Sequence, residues 1–514
     1  MTAPKFVITK YTHHFVVEKC DTSVKELCQA FSRPLIAWTF KVEYGISKRV
    51  AFKVYAASNA PREYFRFHIN LFDAFVAFLE ERGITDKLYH VIDASSYVPV
   101  HCDIDVREGW VSKEDQVEHI DYLVNSRHPS RLLTRQTGTG KTYCALAAVA
   151  RIKHRVAIVV KPMYMKKWYS DVKQILQVTD DDIVTVAGSE QLKMLIMKAR
   201  LGELTEKIVL ISLTTMDNWI TAVEDTGYHT REDGFECWPW EFFETIGAGV
   251  RIVDEVHQSF HQIFKMDLYT NVPISVSLSA TLISRDALTT RMYDVMFPPT
   301  QRAKELELNK YAHTSAIHFN FERPEHIRTS SRGRTTYSHV EVEKSIMKHV
   351  PTMLKYFRLI HDVVDRTYAA HPRKKKRLLI FASTIQMCTK LVTFLKSKYP
   401  HMDVRRYCEG DPYENVIDPD IRVSTIGSCG AAIDIPDLTT VINTHNIDSI
   451  QANIQALGRL RPLKGGSNDA ENAVHYYWLT ADNIPKHQVY AVTRKALFTE
   501  RAASVASVNS GAMV

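Results

Sequence analysis

Residues 131–152 read RLLTRQTGTGKTYCALAAVARI, an apolar strand, a glycine-rich turn and an alanine-rich helix in that order. In that setting Gly138 and Gly140 let the backbone turn tightly enough for the amides of Gln136, Thr137, Gly138, Thr139 and Gly140 to face phosphate oxygens. Lys141 can reach the β and γ oxygens of a nucleoside triphosphate, and Thr142 can offer its hydroxyl to magnesium. The expected ligands are therefore ATP and Mg2+. A glycine-rich turn arising by chance would not need a strand before it and a helix after it. The first position holds Arg135, where the generic pattern has glycine.

Some 110 residues onward, VRIVDEVHQSF (250–260) is an apolar strand ending in two acids. Asp254 would hold the magnesium through water, and Glu255 would orient or deprotonate the attacking water. His257 would sense the γ-phosphate. Two acids at a strand end are common as solvent-facing residues, so DEVH gains its weight from its distance after a phosphate loop. In SVSLSATLISRD (275–286), Ser279, Ala280 and Thr281 close another strand, where hydroxyls can bond back to His257. Farther on, STIGSCGAAIDIPDL (424–438) places Thr425 and Gly430 where a hydroxyl and an amide can grip a phosphodiester, and Asp434 where it can reach a ribose. QALGRLRP (455–462) then supplies Gln455, Gly458, Arg459 and Arg461. Charge developing on a γ-phosphate calls for a permanently charged, planar donor, and either arginine fits; a solvated basic loop is the bland reading of the same string.

The chain around these motifs is α/β. The first hundred residues alternate strand patterns (KFVITKY, HHFVVEK, AWTFKVEYGI, KRVAFKVYA, EYFRFHI) with helical ones, the last spaced through Leu71, Phe72, Phe75, Phe78 and Leu79 and stopped at Gly83. From residue 106 short, fully apolar strands alternate with helices: RVAIVV, KIVLISL, VRIVDE and SVSLSA, then RLLIFAS, IRVSTIG, TTVINTH and VHYYWLT. The expected layout is a small N-terminal α/β domain (1–105), two doubly wound parallel-sheet units (106–300 and 341–500), an aperiodic connection at 301–340 and a frayed tail at 501–514. A 514-residue chain with 45% hydrophobic and 24% charged residues has room for several such cores. Its net charge of +7 suits a polyanionic partner without requiring one. Eight scattered cysteines form no C-x-x-C pair, which argues for reduced thiols rather than a disulfide frame or zinc site. No stretch approaches a membrane span, so a soluble, intracellular protein with no membrane partner is expected.

Taken in order, QTGTGKT, DEVH, SAT, IDIP and QxxGRxR resemble the motif series of superfamily 2 helicases over residues 106–490. The resemblance implies two RecA-like lobes, ATP hydrolysis and nucleic acid as partner. It also points to Gln116, upstream of the phosphate loop, as the adenine-contacting glutamine. Nucleic-acid motifs would fall at Lys161–Trp168 (KPMYMKKW) and at Thr214 and Thr215, where helix-start polar residues and a core tryptophan are the competing reading. Two departures stand out. Many relatives have QxxGRxxR, whose last arginine would fall on Pro462, so the finger is either Arg461, displaced by one place, or Arg459; and Ala432 stands where motif five usually has glycine. Within the superfamily, the small N-terminal domain and RFHINLFDAFVAFLEERGI are similar to phage UvsW-type recombination and repair helicases. That likeness implies work on branched or duplex DNA in a bacterial or phage-infected cytoplasm, with replication or recombination proteins as partners it can meet; a monomer is compatible with the sequence, which leaves the oligomeric state open.

Lys41, Lys48, Arg49, Lys53, Arg62 and Arg66 lie among Trp38, Phe40, Tyr44 and Tyr64, a basic–aromatic mixture that suits nucleic acid as well as it suits a half-buried sheet. RKKKR (373–377) reads equally as a backbone-contacting loop or a solvated one. The leading expectation is a DNA helicase or translocase. An RNA helicase and a nucleotide-gated nucleic-acid-binding ATPase without unwinding are the alternatives, and no nuclease pattern of carboxylates and lysine accompanies the motor motifs.

Overall fold

The computed structural model describes residues 5–43, 46–59, 62–136, 138–226, 235–284, 286–305, 308–331, 336–370, 376–429, 433–463 and 473–514. The chain divides into two compact units, residues 1–135 with 139–306, and residues 307–514 with 136–138.

The first unit begins with β1 (Phe6–Lys10), β2 (His14–Glu18), β3 (Ile36–Glu43), β4 (Ile46–Val54), β5 (Ala57–Ser58), β6 (Phe65–His68) and β7 (Tyr89–Asp93). One sheet runs β5-β6-β2-β1-β7, antiparallel except for β1 against β7, while β3 and β4 form a separate antiparallel pair. Helix Phe72–Glu80 lays Phe75 against Phe15 and Phe67, with ring centroids 5.4 and 5.7 Å apart. The chain leaves that helix through Gly83 at φ +74°, a conformation that costs a residue with a Cβ.

This small α/β domain is present as expected, but it does not stand apart. Its aromatic residues and those of helix Phe260–Tyr269 belong to one continuous hydrophobic core. Tyr55 meets Phe264 with ring centroids 4.9 Å apart, and His13 bonds through one ring nitrogen to Ser130 Oγ (3.1 Å) and through the other to the Val272 carbonyl (2.9 Å). Arg66, a candidate for nucleic-acid contact, is buried at this junction over the rings of Trp240 and Tyr269. Lys53 is paired with Asp286 (2.9 Å). Tyr44, and the side chains of Phe40, Lys41, Lys48 and Arg49, lie outside the described residues.

The rest of the unit is a parallel sheet of β8 (Ser130–Thr134), β9 (Val156–Val160), β10 (Ile183–Val186), β11 (Ile208–Ser212), β12 (Val250–Val253) and β13 (Ile274–Ser279), ordered β10-β11-β9-β12-β13-β8. β9 and β11 are buried at every position, as their unbroken apolar sequences predict for strands covered on both faces.

The second unit is also parallel: β14 (Ala312–Asn320), β15 (Arg377–Ala382), β16 (Val404–Tyr407), β17 (Ile421–Thr425), β18 (Leu438–Asn443), β19 (Val474–Ala481) and β20 (Ser504–Met513), ordered β16-β17-β15-β18-β19-β14-β20. Separate hydrophobic clusters cover its two faces. The fold is therefore two tandem RecA-like parallel-sheet units with a small N-terminal α/β domain. Two expectations are corrected. The stretch 301–340 is not merely a connection, because β14 is a long strand within the sheet; residues 332–335, which include part of SSRGR, lie outside the described residues. The tail is not frayed: β20 pairs in parallel with β14, and the Val514 N–H donates to the Asn320 carbonyl at 2.8 Å. An exposed edge strand is held by its backbone ladder, so the small polar residues of β20 suffice. All eight cysteines are buried, and none is in a disulfide. Among the described residues no helix is long and apolar enough to cross a membrane.

A buried ion pair lies beside the domain junction. Arg251 and Asp267 are each fully buried; the guanidinium donates to Asp267, to Ser275 Oγ (2.7 Å) and to Thr270 Oγ1 (3.1 Å). Burial pushes the Asp267 carboxyl up, but the Arg251 charge and the nearby His68 ring, 3.7 Å away, outweigh it and hold the carboxyl well below the usual range. Removing one partner leaves an uncompensated buried charge, so Asp267→Ala should cost about 3–5 kcal/mol of stability, read by urea unfolding at neutral pH. Because the folded-state value is depressed, the pair's contribution is present above the ordinary carboxylate range of about pH 4 and is lost as pH falls below it. A loss under about 1 kcal/mol, typical of a surface pair, would contradict this account.

Candidate active site

Strand register decides which loops meet. Ser279 lies opposite Thr134, and Val253 lies opposite Ser277 on one side and Val159 on the other. Parallel strands in this register end at a common edge, so the turns after β8, β9, β12 and β13 emerge together. Ligands of open α/β sheets bind at that edge. The four turns carry Arg135–Thr142, Lys161, Asp254–His257 and Ser279–Thr281.

The glycine-rich turn leads into helix Lys141–Ile152 with Gly138 at φ +85° and Gly140 at φ +89°. A Cβ on Gly140 would collide with Nε2 of Gln116, which shows how closely that glutamine packs on the loop. Gln116 sits in the first turn of helix Glu114–Asn125; it accepts from the Lys113 N–H (3.0 Å) and donates to the Thr139 carbonyl (3.4 Å). Lys141 is buried, with its ammonium on the Arg135 carbonyl at 3.0 Å. Thr142 is half-buried one residue on. Gln136 exchanges hydrogen bonds of 3.2 Å with the Asn309 backbone, and Thr137 lies outside the described residues.

The two acids are held differently. Asp254 accepts from the Glu255 N–H (2.8 Å) on one oxygen and from the Trp168 indole N–H (3.0 Å) on the other. Burial, and then the neighbouring Glu255 charge, push its carboxyl up. Glu255 sits in the left-handed region at φ +48°, a costly conformation outside glycine, and its Oε2 is buried without a hydrogen-bond partner. His257 Nδ1 lies 3.4 Å from that oxygen and 2.9 Å from Ser279 Oγ. The Ser279 hydroxyl gives its one proton to the Thr281 carbonyl (2.7 Å), so the His257–Ser279 bond needs its proton on Nδ1. Burial, then the Lys141 charge, lower His257 to about 4, which keeps the ring neutral at physiological pH. Lys161 donates to Gln258 Oε1 (3.3 Å), and burial lowers its ammonium.

Not every expected contact residue faces outward. Trp168 is fully buried and donates its indole N–H to Asp254. Thr215 is buried and accepts the Gly188 N–H (2.8 Å), whereas Thr214 is exposed at the start of helix Leu213–Asp225. In the second unit Thr425 closes β17 and bonds to Ser428; Gly430 and Ala432 lie outside the described residues, as do Arg373–Lys375 of the basic run. Arg459 is 2% exposed and spends its guanidinium on the Ile433 and Gln455 carbonyls. The Arg461 side chain is 22% exposed and pairs with Asp434 at 3.4 Å.

Sequence reading misses the partners of the loop. Asp115 and His119, one helical turn apart, both bind Arg135, and an arginine standing where glycine is usual is the signal that such partners exist. It also misses Gln258, which gathers Lys161 and Tyr164.

Residues 111–284 match the family described as the type III restriction enzyme res subunit, so the first unit carries a helicase-type ATPase domain. Among solved structures, the chain is similar to S. cerevisiae Dbp5 bound to RNA and ADP BeF3, at 11% identity and TM-score 0.49, covering 77% of this chain and 89% of that one. A leucine-to-valine variant of Dbp5 with the same ligands gives 12% identity and TM-score 0.48, again covering 77% of this chain and 89% of that one. Comparison with curated proteins finds no match.

Trp168→Phe keeps the buried ring and deletes the donor to Asp254. A hydrogen bond to a charged group contributes about 1.5–3 kcal/mol, and chemical denaturation of the variant should show a loss of that order. An unchanged midpoint would mean that Asp254 finds another donor.

Proposed function

We propose that this chain is a superfamily 2 DNA helicase or translocase that hydrolyses ATP and acts on branched or double-stranded DNA in recombination, fork processing or repair. The observation that carries the reading is the shared sheet edge: the phosphate loop, the half-buried Asp254, the buried Glu255 and a neutral histidine bonded to the Ser279 hydroxyl converge on it. In this reading the loop amides and Lys141 hold the triphosphate, and Gln116 faces the adenine. Water attacks the γ-phosphorus, the bond to the bridging oxygen of ADP breaks, and Glu255 takes the water's proton. Its unpartnered Oε2 suits a base whose hydrogen bond forms only with substrate present. His257, bonded to Ser279, relays the state of the site to the turn after β13.

Magnesium fits this edge. Asp254 and Glu255 are adjacent carboxylates whose mutual repulsion a cation relieves, and Mg2+ commonly takes one or two carboxylates together with substrate phosphates. Thr142 and Asp254 would hold it, and it would supply charge neutralisation on the β and γ oxygens. Of the two arginines, Arg461 is the one with a partly exposed side chain, and we assign it the finger role; Arg459 then shapes its own unit. Asp434 would reach the ribose, and Lys161, Thr214 and Thr425 would meet the nucleic-acid backbone. The match to a restriction-enzyme family favours DNA over RNA as substrate.

The test is steady-state ATPase with magnesium, alone and with single-stranded DNA, duplex, a four-way junction or RNA. Turnover should rise most with the junction. Lys141→Ala should abolish it, and Glu255→Gln should lower it by about 10²–10⁴-fold while junction binding persists. Normal turnover in both variants would sink the assignment of the site, and stimulation by RNA alone would replace DNA with RNA.

A further inference from the structure

Arg135 occupies the first position of the phosphate loop and is not a bystander. Its side chain is 2% exposed, and all five of its N–H groups are spent. Three go to helix Glu114–Asn125: to the Asp115 carboxylate, to the Asp115 carbonyl (3.0 Å) and to His119 Nδ1 (2.6 Å). Two go to the loop: to Thr139 Oγ1 (3.2 Å) and the Thr139 carbonyl (2.9 Å). His119 is fixed in turn, because a nitrogen that accepts from Arg135 leaves Nε2 to donate to the Lys304 carbonyl (2.9 Å). The Arg135 main chain is equally committed, donating to the Ser279 carbonyl (3.1 Å) and accepting from Lys141 (3.0 Å). The Thr139 carbonyl, which receives Arg135, is also the acceptor of Gln116.

We infer that Arg135 is a positioning residue that straps the phosphate loop to the helix carrying Gln116 and so holds the loop in its nucleotide-receiving shape before nucleotide arrives. The inference rests on the ATPase reading above. A glycine at this position would remove both guanidinium bonds to Thr139, and the longer Gln116 bond to the same residue must break if Gln116 turns to an adenine. With Arg135 present the loop keeps its anchor while Gln116 moves. Without it the loop samples shapes that cannot bind phosphate, and apparent affinity falls by the fraction of time spent in them. That loss applies to ATP and ADP alike and leaves the chemical step intact once nucleotide is bound. Lysine cannot substitute, because its three donors on one atom cannot serve helix and loop in a planar fork.

The experiment measures kcat and KM for ATP, and Kd for a fluorescently labelled ADP, in wild type, Arg135→Ala, Arg135→Lys, Asp115→Asn and the Arg135→Ala/Asp115→Asn double variant. Expected is a parallel rise in KM and Kd of about tenfold or more in Arg135→Ala, with kcat within about threefold of wild type. Arg135→Lys should resemble the alanine variant. Asp115→Asn, which leaves the guanidinium in place, should shift both constants in the same direction by a smaller factor, and the double variant should be no worse than Arg135→Ala, the mark of residues acting through one another. If Arg135→Ala does not fold, Asp115→Asn and Arg135→Lys carry the test. Folded variants with unmoved KM and Kd, or with kcat lowered at constant KM, would overturn the inference while leaving the ATPase reading standing. A wild type that neither binds labelled ADP nor hydrolyses ATP would overturn both.

Discussion

The register of β8, β13, β12 and β9 is the constraint on which the site depends. With Ser279 opposite Thr134 and Val253 opposite Val159, each strand ends within a residue or two of its neighbour. A slip of one residue would turn every side chain to the other face of the sheet. It would carry Ser279 away from His257 and Asp254 away from Trp168, two bonds of 2.9 and 3.0 Å that tolerate no such displacement. The register is fixed by cores on both faces, so the apolar residues of β9, β12 and β13 determine the geometry of residues they never touch.

That edge is also where the unit accepts unfavourable local states. Glu255 adopts a left-handed backbone conformation and leaves a carboxylate oxygen buried without a partner, while Asp254 beside it is pushed toward its neutral form. Each is a cost that surrounding packing must offset. What the site gains is acids of low hydration beside a buried lysine, where a bound polyphosphate and cation would be felt more strongly than in water. The neutrality of His257 follows from the same burial: Lys141 penalises a second positive charge nearby, so the ring acts as a hydrogen-bonding relay.

Legibility in the sequence tracks how much of each element's fate is decided by its own residues. VAIVV and IVLIS can be read directly because strands buried on both faces must be apolar throughout. The short IVTV of β10, at the sheet edge, and the half-exposed VRRY of β16 do not carry that pattern and escape sequence reading. SVASVNSGAM of β20 resembles a frayed end because its stability lies in backbone bonds to β14, which leave no mark on side-chain composition. The phosphate loop and DEVH are legible because phosphate chemistry dictates their residues. Sequence leaves Trp168 between two roles because an indole suits a base stack and a buried donor equally, and only the tertiary structure shows Asp254 beside it.

The arginines alter what the overall charge means. Arg131 donates to the carbonyls of Leu123, Val124, Ser126 and His128; Arg155 to those of Leu204, Glu206 and Ile246; Arg459 to those of Gln455 and Ile433; and Arg494 to that of His445. All four are buried, as are Arg66, Arg135, Arg251 and Arg422. A guanidinium with five donors is suited to stapling loop carbonyls that no ladder or helix can satisfy, and this chain uses it repeatedly for that purpose. The formal charge of +7 therefore overstates what the surface can offer a polyanion, since part of the positive charge lies inside and is spent on the chain's own turns. The case for nucleic acid must rest on where exposed groups such as Thr214 and the half-buried Lys161 lie relative to the sheet edge, and not on the composition.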